Sequence, residues 1–113
     1  MMTKTELSTL LHSVCNTVCE GESAMDDVKK LPKIVYWEIN WADDNASGET
    51  YSTVVTYQVS FLSKTPRHPN LIALKHALNA KNIHPSIQHE CVKAEKGAGY
   101  FHSYLSVDVL EDL

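Results

Sequence analysis

Histidine and cysteine are the residue types in this chain with the clearest chemical potential, and one group of them lies near the start. His12, Cys15 and Cys19 are spaced i, i+3 and i+7, so a helix would present all three together. A zinc site normally takes four ligands, as short paired spacings such as C-x2-C with a second pair elsewhere. Cys15 also falls in the apolar stripe of its segment, which favours packing in a core. We therefore expect no metal at these residues.

A second group comprises His89 and Cys91, next-but-one neighbours on a predicted strand, and His102, which can lie on an adjacent strand. A Cys–His pair is the minimal arrangement for nucleophilic catalysis. An activated cysteine needs an electropositive, exposed setting and an oxyanion hole, but neither a helix N-terminus nor a glycine-rich turn adjoins Cys91. The pattern favours structural residues, no catalytic site and no cofactor, with a hydrolase kept as an alternative.

Three carboxylates, Asp43, Asp44 and Glu49, share the polar segment "ADDNASGE". The alternation of an EF-hand calcium loop is absent, so the segment is not predicted to bind calcium. A solvated hairpin tip is the simplest interpretation. Use of the same tip at a protein interface is the alternative.

Composition excludes several classes of protein. The chain has 113 residues, 43% apolar and 21% charged, which suits one globular domain over residues 1–113. A net charge of −4 without a basic stripe argues against sequence-general nucleic-acid binding. No apolar stretch is long enough for a membrane span, and the N-terminal residues contain no apolar signal region. We therefore expect a protein used inside a cell, with its cysteines reduced.

The apolar periodicity predicts an α+β fold in the order α-β-β-α-β-β. Thr3 and Glu6 have the spacing of a capping box at the start of the first helix, and Gly21 suits its end. Pro69 suits the first position of the second helix. We predict a two-layer sandwich, with a four-stranded, mainly antiparallel sheet and two helices on one face. The predicted elements are a helix over 4–20, a long β-hairpin over 33–63, a helix over 69–82 and a β-hairpin over 86–110.

Aromatic residues are concentrated in the long hairpin. Period-2 alternation predicts that Val35, Trp37, Ile39 and Trp41 share one face of the sheet. Two tryptophans and several tyrosines exceed what two helices can cover, which indicates an exposed aromatic patch of the kind found at protein interfaces. The interface residues predicted on this basis are Trp37, Trp41, Tyr51 and Tyr57.

The layout also resembles a known family. The relevant features are the N-terminal amphipathic helix, the Pro-aromatic first strand "LPKIVYWEINW", the long polar hairpin "ADDNASGETYSTVVTYQVSFLSK", the helix "PNLIALKHALNAKNI" and the closing strands that end in "YLSVDVL". Together they cover most of residues 3–110. In these features the chain is similar to the small tail-completion or tail-terminator (head–tail joining) proteins of long-tailed bacteriophages and their prophage remnants.

This resemblance implies a non-enzymatic virion protein that forms a ring, usually a hexamer, at the head–tail junction. Such a ring caps the finished tail tube and joins it to the head connector. Its partners would be copies of itself and the tail-tube and connector proteins, with DNA passing nearby but not specifically bound. It would be found in the host bacterial cytoplasm during assembly and in the virion afterwards. The acidic tip would face the lumen or a partner ring.

Two other roles stay open on the sequence alone. One is another phage head-completion or minor capsid component, which would differ only in its neighbours. The other is a small ligand- or peptide-binding module that uses the face of the sheet. The mass of the oligomer distinguishes a ring from a binding module.

Overall fold

The computed structural model describes residues 2–21, 31–44, 52–93 and 99–111, with only the backbone described at positions 44 and 52. The sheet order is β1-β2-β3-β5-β4, with β1 parallel to β2 and all other pairs antiparallel. The chain is therefore α+β with a mixed sheet of five described strands, one more than predicted. The elements are α1 (Lys4–Val14), β1 (Val18–Glu20), β2 (Lys33–Asp44), β3 (Ser52–Ser63), α2 (Pro69–Ala80), β4 (Gln88–Val92) and β5 (Tyr100–Glu111).

The first helix begins where the sequence predicts and ends earlier. The Thr3 hydroxyl accepts a hydrogen bond from the backbone N–H of Glu6 at 3.2 Å, which confirms the N-cap. The predicted end at residue 20 is wrong, because Cys15 leaves the helix with an extended backbone (φ −148°, ψ 138°). The released residues form β1, which pairs with Ile34–Tyr36 of β2. Lys4 fixes α1 to this strand through a 3.0 Å ion pair with Glu20.

The second helix follows the prediction closely. Pro69 is its first residue, and the ring of His68 accepts a hydrogen bond from the N–H of Asn70 at 3.1 Å. The helix ends at Ala80, and Asn82 adopts a left-handed conformation (φ 60°) just beyond it. Neither described helix is long and apolar enough to cross a membrane.

Both helices pack on one face of the sheet, hereafter the helix face. Leucines from α1 and α2 form the upper layer of the core, and alternating residues of β2, β3 and β5 form the lower layer. The opposite, outer face is also buried in part, since Val35, Ser60 and Leu62 have no exposed surface. The core comprises Leu7, Leu10, Leu11, Leu71, Leu74 and Leu78 from the helices and Ile34, Tyr36, Val55, Tyr57, Val59, Phe61, Leu105, Val107 and Val109 from the sheet.

The predicted long hairpin is confirmed by the pairing of β2 with β3 from Lys33–Leu62 to Asp44–Ser52. The predicted closing hairpin is confirmed by the pairing of β4 with β5. β5 also pairs with β3 along eleven positions, so β3 is the central strand of the sheet. The two hairpins are thereby joined into one sheet.

Candidate functional site

The two edge strands are much shorter than the three strands between them. β1 pairs only with Ile34–Tyr36, and β4 pairs only with residues 100–104 of β5. Residues 37–44, 52–59 and 105–111 therefore extend beyond both edge strands, and we refer to them as the ribbon. Among the described residues no strand pairs with either edge of the ribbon, although Leu110 donates a backbone hydrogen bond to the carbonyl of Met2 at 3.0 Å.

A β-bulge divides β2 within the ribbon. Glu38 pairs with Tyr57 and Asn40 with Thr56, so Ile39 is an extra residue with no partner on β3. An extra residue reverses the faces on which the following side chains lie. Trp37 therefore lies on the outer face and Trp41 on the helix face. The prediction that the two tryptophans share a face is wrong for this reason.

Trp41 is the most exposed large apolar residue in the described structure, at 60% of its surface. Its indole N–H donates a hydrogen bond to the carboxylate of Glu38 at 3.1 Å, which holds the ring against the strand. Ile39 at the bulge is 49% exposed, whereas Trp37 is half-buried. Trp41 and Ile39 thus have the exposure that an interface requires, and the contact itself stays a prediction.

Tyr57 is corrected from an interface residue to a core residue. Its side chain is 1% exposed, its ring lies 5.8 Å from that of Tyr36, and its hydroxyl donates to Glu111 at 3.2 Å. The ammonium of Lys4 lies 5.9 Å from the ring centroid. Burial raises the pKa of Tyr57 to about 12, and the nearby charge of Lys4 opposes this shift. Tyr51 lies outside the described residues.

The acidic residues predicted at the hairpin tip are only partly described. Asp43 is exposed, and its backbone pairs with Thr53, which in turn pairs with Glu111 of β5. Asp44 pairs with Ser52 through the backbone, and Glu49 lies outside the described residues. The far end of the ribbon therefore carries the carboxylates of Asp43 and Glu111 on the helix face.

The predicted groups of histidines and cysteines do not assemble. His89 and Cys91 lie on the helix face of β4, whereas His102 pairs with Glu90 on the outer face, so the register does not bring these three side chains together. The end of α1 at Val14 likewise separates Cys19 from the helix that carries His12. Within the described ranges, no group of three or more His, Cys, Asp or Glu residues could hold a metal ion.

A polar row that the sequence analysis missed crosses the outer face. His102 is hydrogen bonded through Nε2 to the hydroxyl of Ser60 at 2.8 Å and through Nδ1 to a carboxylate oxygen of Glu90 at 2.7 Å. Serine, histidine and carboxylate in this order match a hydrolytic triad. Ser60, however, has no exposed surface and lies in the middle of the central strand, where the sheet uses the backbone N–H groups that an oxyanion hole would need. The row therefore satisfies buried polar groups.

An open cleft of about 390 Å³ lies at the opposite end of the sheet from the ribbon. A second cleft of about 480 Å³ adjoins it along α2 and shares Arg67 and His89. The exposed thiol of Cys91 lies in the first cleft. The remaining residues of the first cleft are Ser63, Thr65, Pro66, Glu90, Phe101 and Ser103, and those of the second are Leu71, Ile72, Lys75, Pro85 and Ile87.

No protein-family model matches the chain, and no curated protein matches its sequence. The functional interpretation therefore depends on the geometry of the ribbon and the clefts, together with the resemblance described above.

Proposed function

We propose that this chain is a structural, non-enzymatic protein of a phage or prophage particle that forms a ring, a hexamer by resemblance, at the head–tail junction. The observation that carries the proposal is the ribbon, whose two edges pair with no strand of the described residues and which carries an exposed tryptophan near its far end. Exposed strand edges are sites where a further chain can pair, and soluble proteins usually cover or shorten them. A ribbon of this kind is suited to contact with neighbouring subunits.

The polar groups of the chain support an assembly role over catalysis. The Ser60–His102–Glu90 row is closed to substrate. The serine–histidine pair of the first cleft, Ser103 with His89, lies where Ser103 is buried on a strand paired on both sides, so the sheet uses the backbone N–H groups that an oxyanion hole would need. His89, the one described imidazole beside Cys91 in the first cleft, bonds instead to the hydroxyl of Ser103 at 2.7 Å. The clefts are therefore better suited to binding than to bond cleavage.

Ring assembly gives the acidic end of the ribbon a role. A ring forms when one surface of each copy contacts a different surface of the next and the rotation closes. Carboxylates such as Asp43, placed at a lumen or against a partner ring, would repel DNA phosphates and allow the genome to pass without adhesion. The copies, the tail-tube protein and the head-connector protein would be the partners, with assembly in the host bacterial cytoplasm.

A peptide-binding module is the second candidate, and the clefts favour it. Their apolar residues, together with the edge of β4 that no described strand pairs with, could accept an extended segment of another protein. The two candidates differ in mass. A ring protein self-associates or joins tail tubes, whereas a binding module stays monomeric and takes up one peptide.

Deletion of the gene from the phage or prophage that carries it tests the proposal. We expect separate full heads and free tails by electron microscopy after induction, with joined particles restored by the wild-type gene in trans. Immunogold labelling should place the chain at the head–tail junction. Normal joined particles from the deletion strain would refute the proposal.

A further inference from the structure

Acidic and basic residues are concentrated in two different segments of the chain. Residues 37–59 contain four carboxylates and no lysine or arginine, whereas residues 61–89 contain four lysine or arginine residues and no carboxylate. The first segment includes most of the ribbon, and the second includes α2 and most of the residues that line the two clefts. The acidic segment and the basic segment therefore lie in different parts of the folded chain.

The two charged regions lie at opposite ends of β3. The row Asp43–Thr53–Glu111 is at the ribbon end, and the row Ser63–Phe101–Cys91 is at the cleft end. Ten residues of strand separate these rows, a distance of roughly 33 Å at about 3.3 Å per residue. Both rows lie on the helix face, because positions 53 and 63 differ by an even number. One copy therefore presents its acidic end and its clefts on the same side.

The cationic side chains at the clefts are available to a partner. Arg67 and Lys75 are both exposed, and no carboxylate of the described residues forms an ion pair with either one. Glu90 is the single carboxylate that lines the clefts, and it bonds to His102 at 2.7 Å. The clefts therefore have a net positive surface with an apolar floor formed by residues such as Leu71 and Phe101.

We infer that the acidic end of the ribbon of one copy docks in the clefts of the next copy, with Arg67 and Lys75 facing Asp43. This inference rests on the proposed ring and names its subunit contact, in which Asp43 lies between neighbouring copies and not at the lumen. The occupant is a second copy because the negative charge that complements the clefts is the charge of the ribbon end, whereas a small anion would leave the apolar residues of the clefts uncovered. The contact joins different surfaces, so it forms a ring where it propagates from copy to copy and the rotation closes, whereas reciprocal exchange between two copies would give a dimer.

Reciprocal charge reversal tests the contact. R67E/K75E and D43K/D44K should each weaken self-association about tenfold or more, since opposed like charges suppress docking. An equimolar mixture of the two variants should recover assembly, because each cleft then meets a ribbon end of opposite charge. K64E/K81E is the matched control for R67E/K75E: it changes the net charge by the same amount, but neither lysine lines either of the two clefts, and its assembly should stay near wild type. Sedimentation velocity measures the wild type, the two reversed variants, their mixture and the control.

Cross-linking tests the geometry independently of charge. Cys91 lies in the first cleft, and Ala42 is exposed on the ribbon beside Asp43. In a C19S background, a short bis-maleimide should join A42C of one copy to Cys91 of another. A73C, on the exposed side of α2 and outside both clefts, should give no such product, and C91S should abolish it.

The outcomes separate this contact from the wider proposal. Mixed-variant recovery together with the A42C–Cys91 product supports docking of the ribbon end in the clefts. If both charge-reversed variants assemble to the same extent as the wild type, this contact is wrong, but the proposed ring is not contradicted. A wild-type chain that stays monomeric and gives no cross-link would overturn the contact as well. The gene deletion described above decides the ring itself.

Discussion

The indole N–H of Trp41 donates a hydrogen bond of 3.1 Å to the carboxylate of Glu38, three residues earlier on the same strand. In a regular strand, residues three apart lie on opposite faces and cannot meet in this way. The extra residue at Ile39 brings them to one face and turns Trp41 away from Trp37. The bulge thus decides which aromatic residue the ribbon presents on its helix face.

Fluorescence quenching distinguishes the two tryptophans. W37F leaves only Trp41, which is 60% exposed, and W41F leaves only Trp37, which is half-buried. We expect acrylamide to quench W37F more steeply than W41F, because a neutral quencher reports access to the ring. Both variants should keep the wild-type free energy of unfolding within about 1 kcal/mol. Equal quenching would contradict the placement of Trp41.

Alkaline titration tests the environment of Tyr57. Its pKa is raised from 10.0 to about 12 in the folded protein, so the folded state holds the phenolic proton more tightly than the unfolded state. The corresponding stability is fully present below pH 10 and is lost as the pH rises towards about 12. We expect the free energy of unfolding of Y57F, measured by urea unfolding between pH 10 and about 12, to fall less than that of the wild type. Identical pH profiles for Y57F and wild type would contradict the assignment.

The polar row on the outer face should contribute to stability and not to catalysis. H102A leaves the buried hydroxyl of Ser60 without its imidazole partner and should lower the free energy of unfolding by about 1–3 kcal/mol. E90Q keeps a hydrogen-bond acceptor on a half-exposed side chain, so it should cost less than about 1 kcal/mol. Ser60 should not react with a fluorophosphonate in the native protein. Labelling of Ser60 would contradict this prediction and favour a hydrolase.

Thiol alkylation separates the cysteines. Cys15 is buried, and its thiol donates to the carbonyls of Thr17 at 3.4 Å and Pro32 at 3.6 Å, so it should react only on unfolding. Cys91 is exposed and should react in the native state, at a rate no greater than that of free cysteine. Mass spectrometry of iodoacetamide-treated protein gives both rates. A markedly faster Cys91 would indicate an activated nucleophile.

Local signals in the sequence predict much of this fold. The Thr3 cap, the position of Pro69 and the alternation in both hairpins act over a few residues, and the structure confirms the elements that they predict. The end of α1 was missed because Cys15 and Val18 continue the helical apolar spacing. Cys15 is apolar because it is packed in the core, and Val18 is apolar because it belongs to strand β1 beside that core. The apolar periodicity of the sequence does not distinguish a helix from these two situations.

The candidate sites depend on register, which the sequence does not reveal. The extra residue at Ile39 interrupts no obvious pattern, since Val35, Trp37, Ile39 and Trp41 alternate without a break. The contacts of His102 with Ser60 and Glu90 require knowledge that β3, β5 and β4 are adjacent, as does the separation of His102 from Cys91. The contacts between residues on neighbouring strands that are distant in sequence could therefore be identified only from the structure.

The position of β5 between β3 and β4 has a consequence for synthesis on the ribosome. β3 is translated well before β5, yet one of its two edges pairs only with β5, along eleven positions. During synthesis β2 and β3 can therefore form only a two-stranded hairpin, in which one edge of β3 stays unpaired until residues 100–111 have been translated. Stalling of translation between these strands should expose the chain to chaperones and to aggregation, whereas a pause after residue 111 should not.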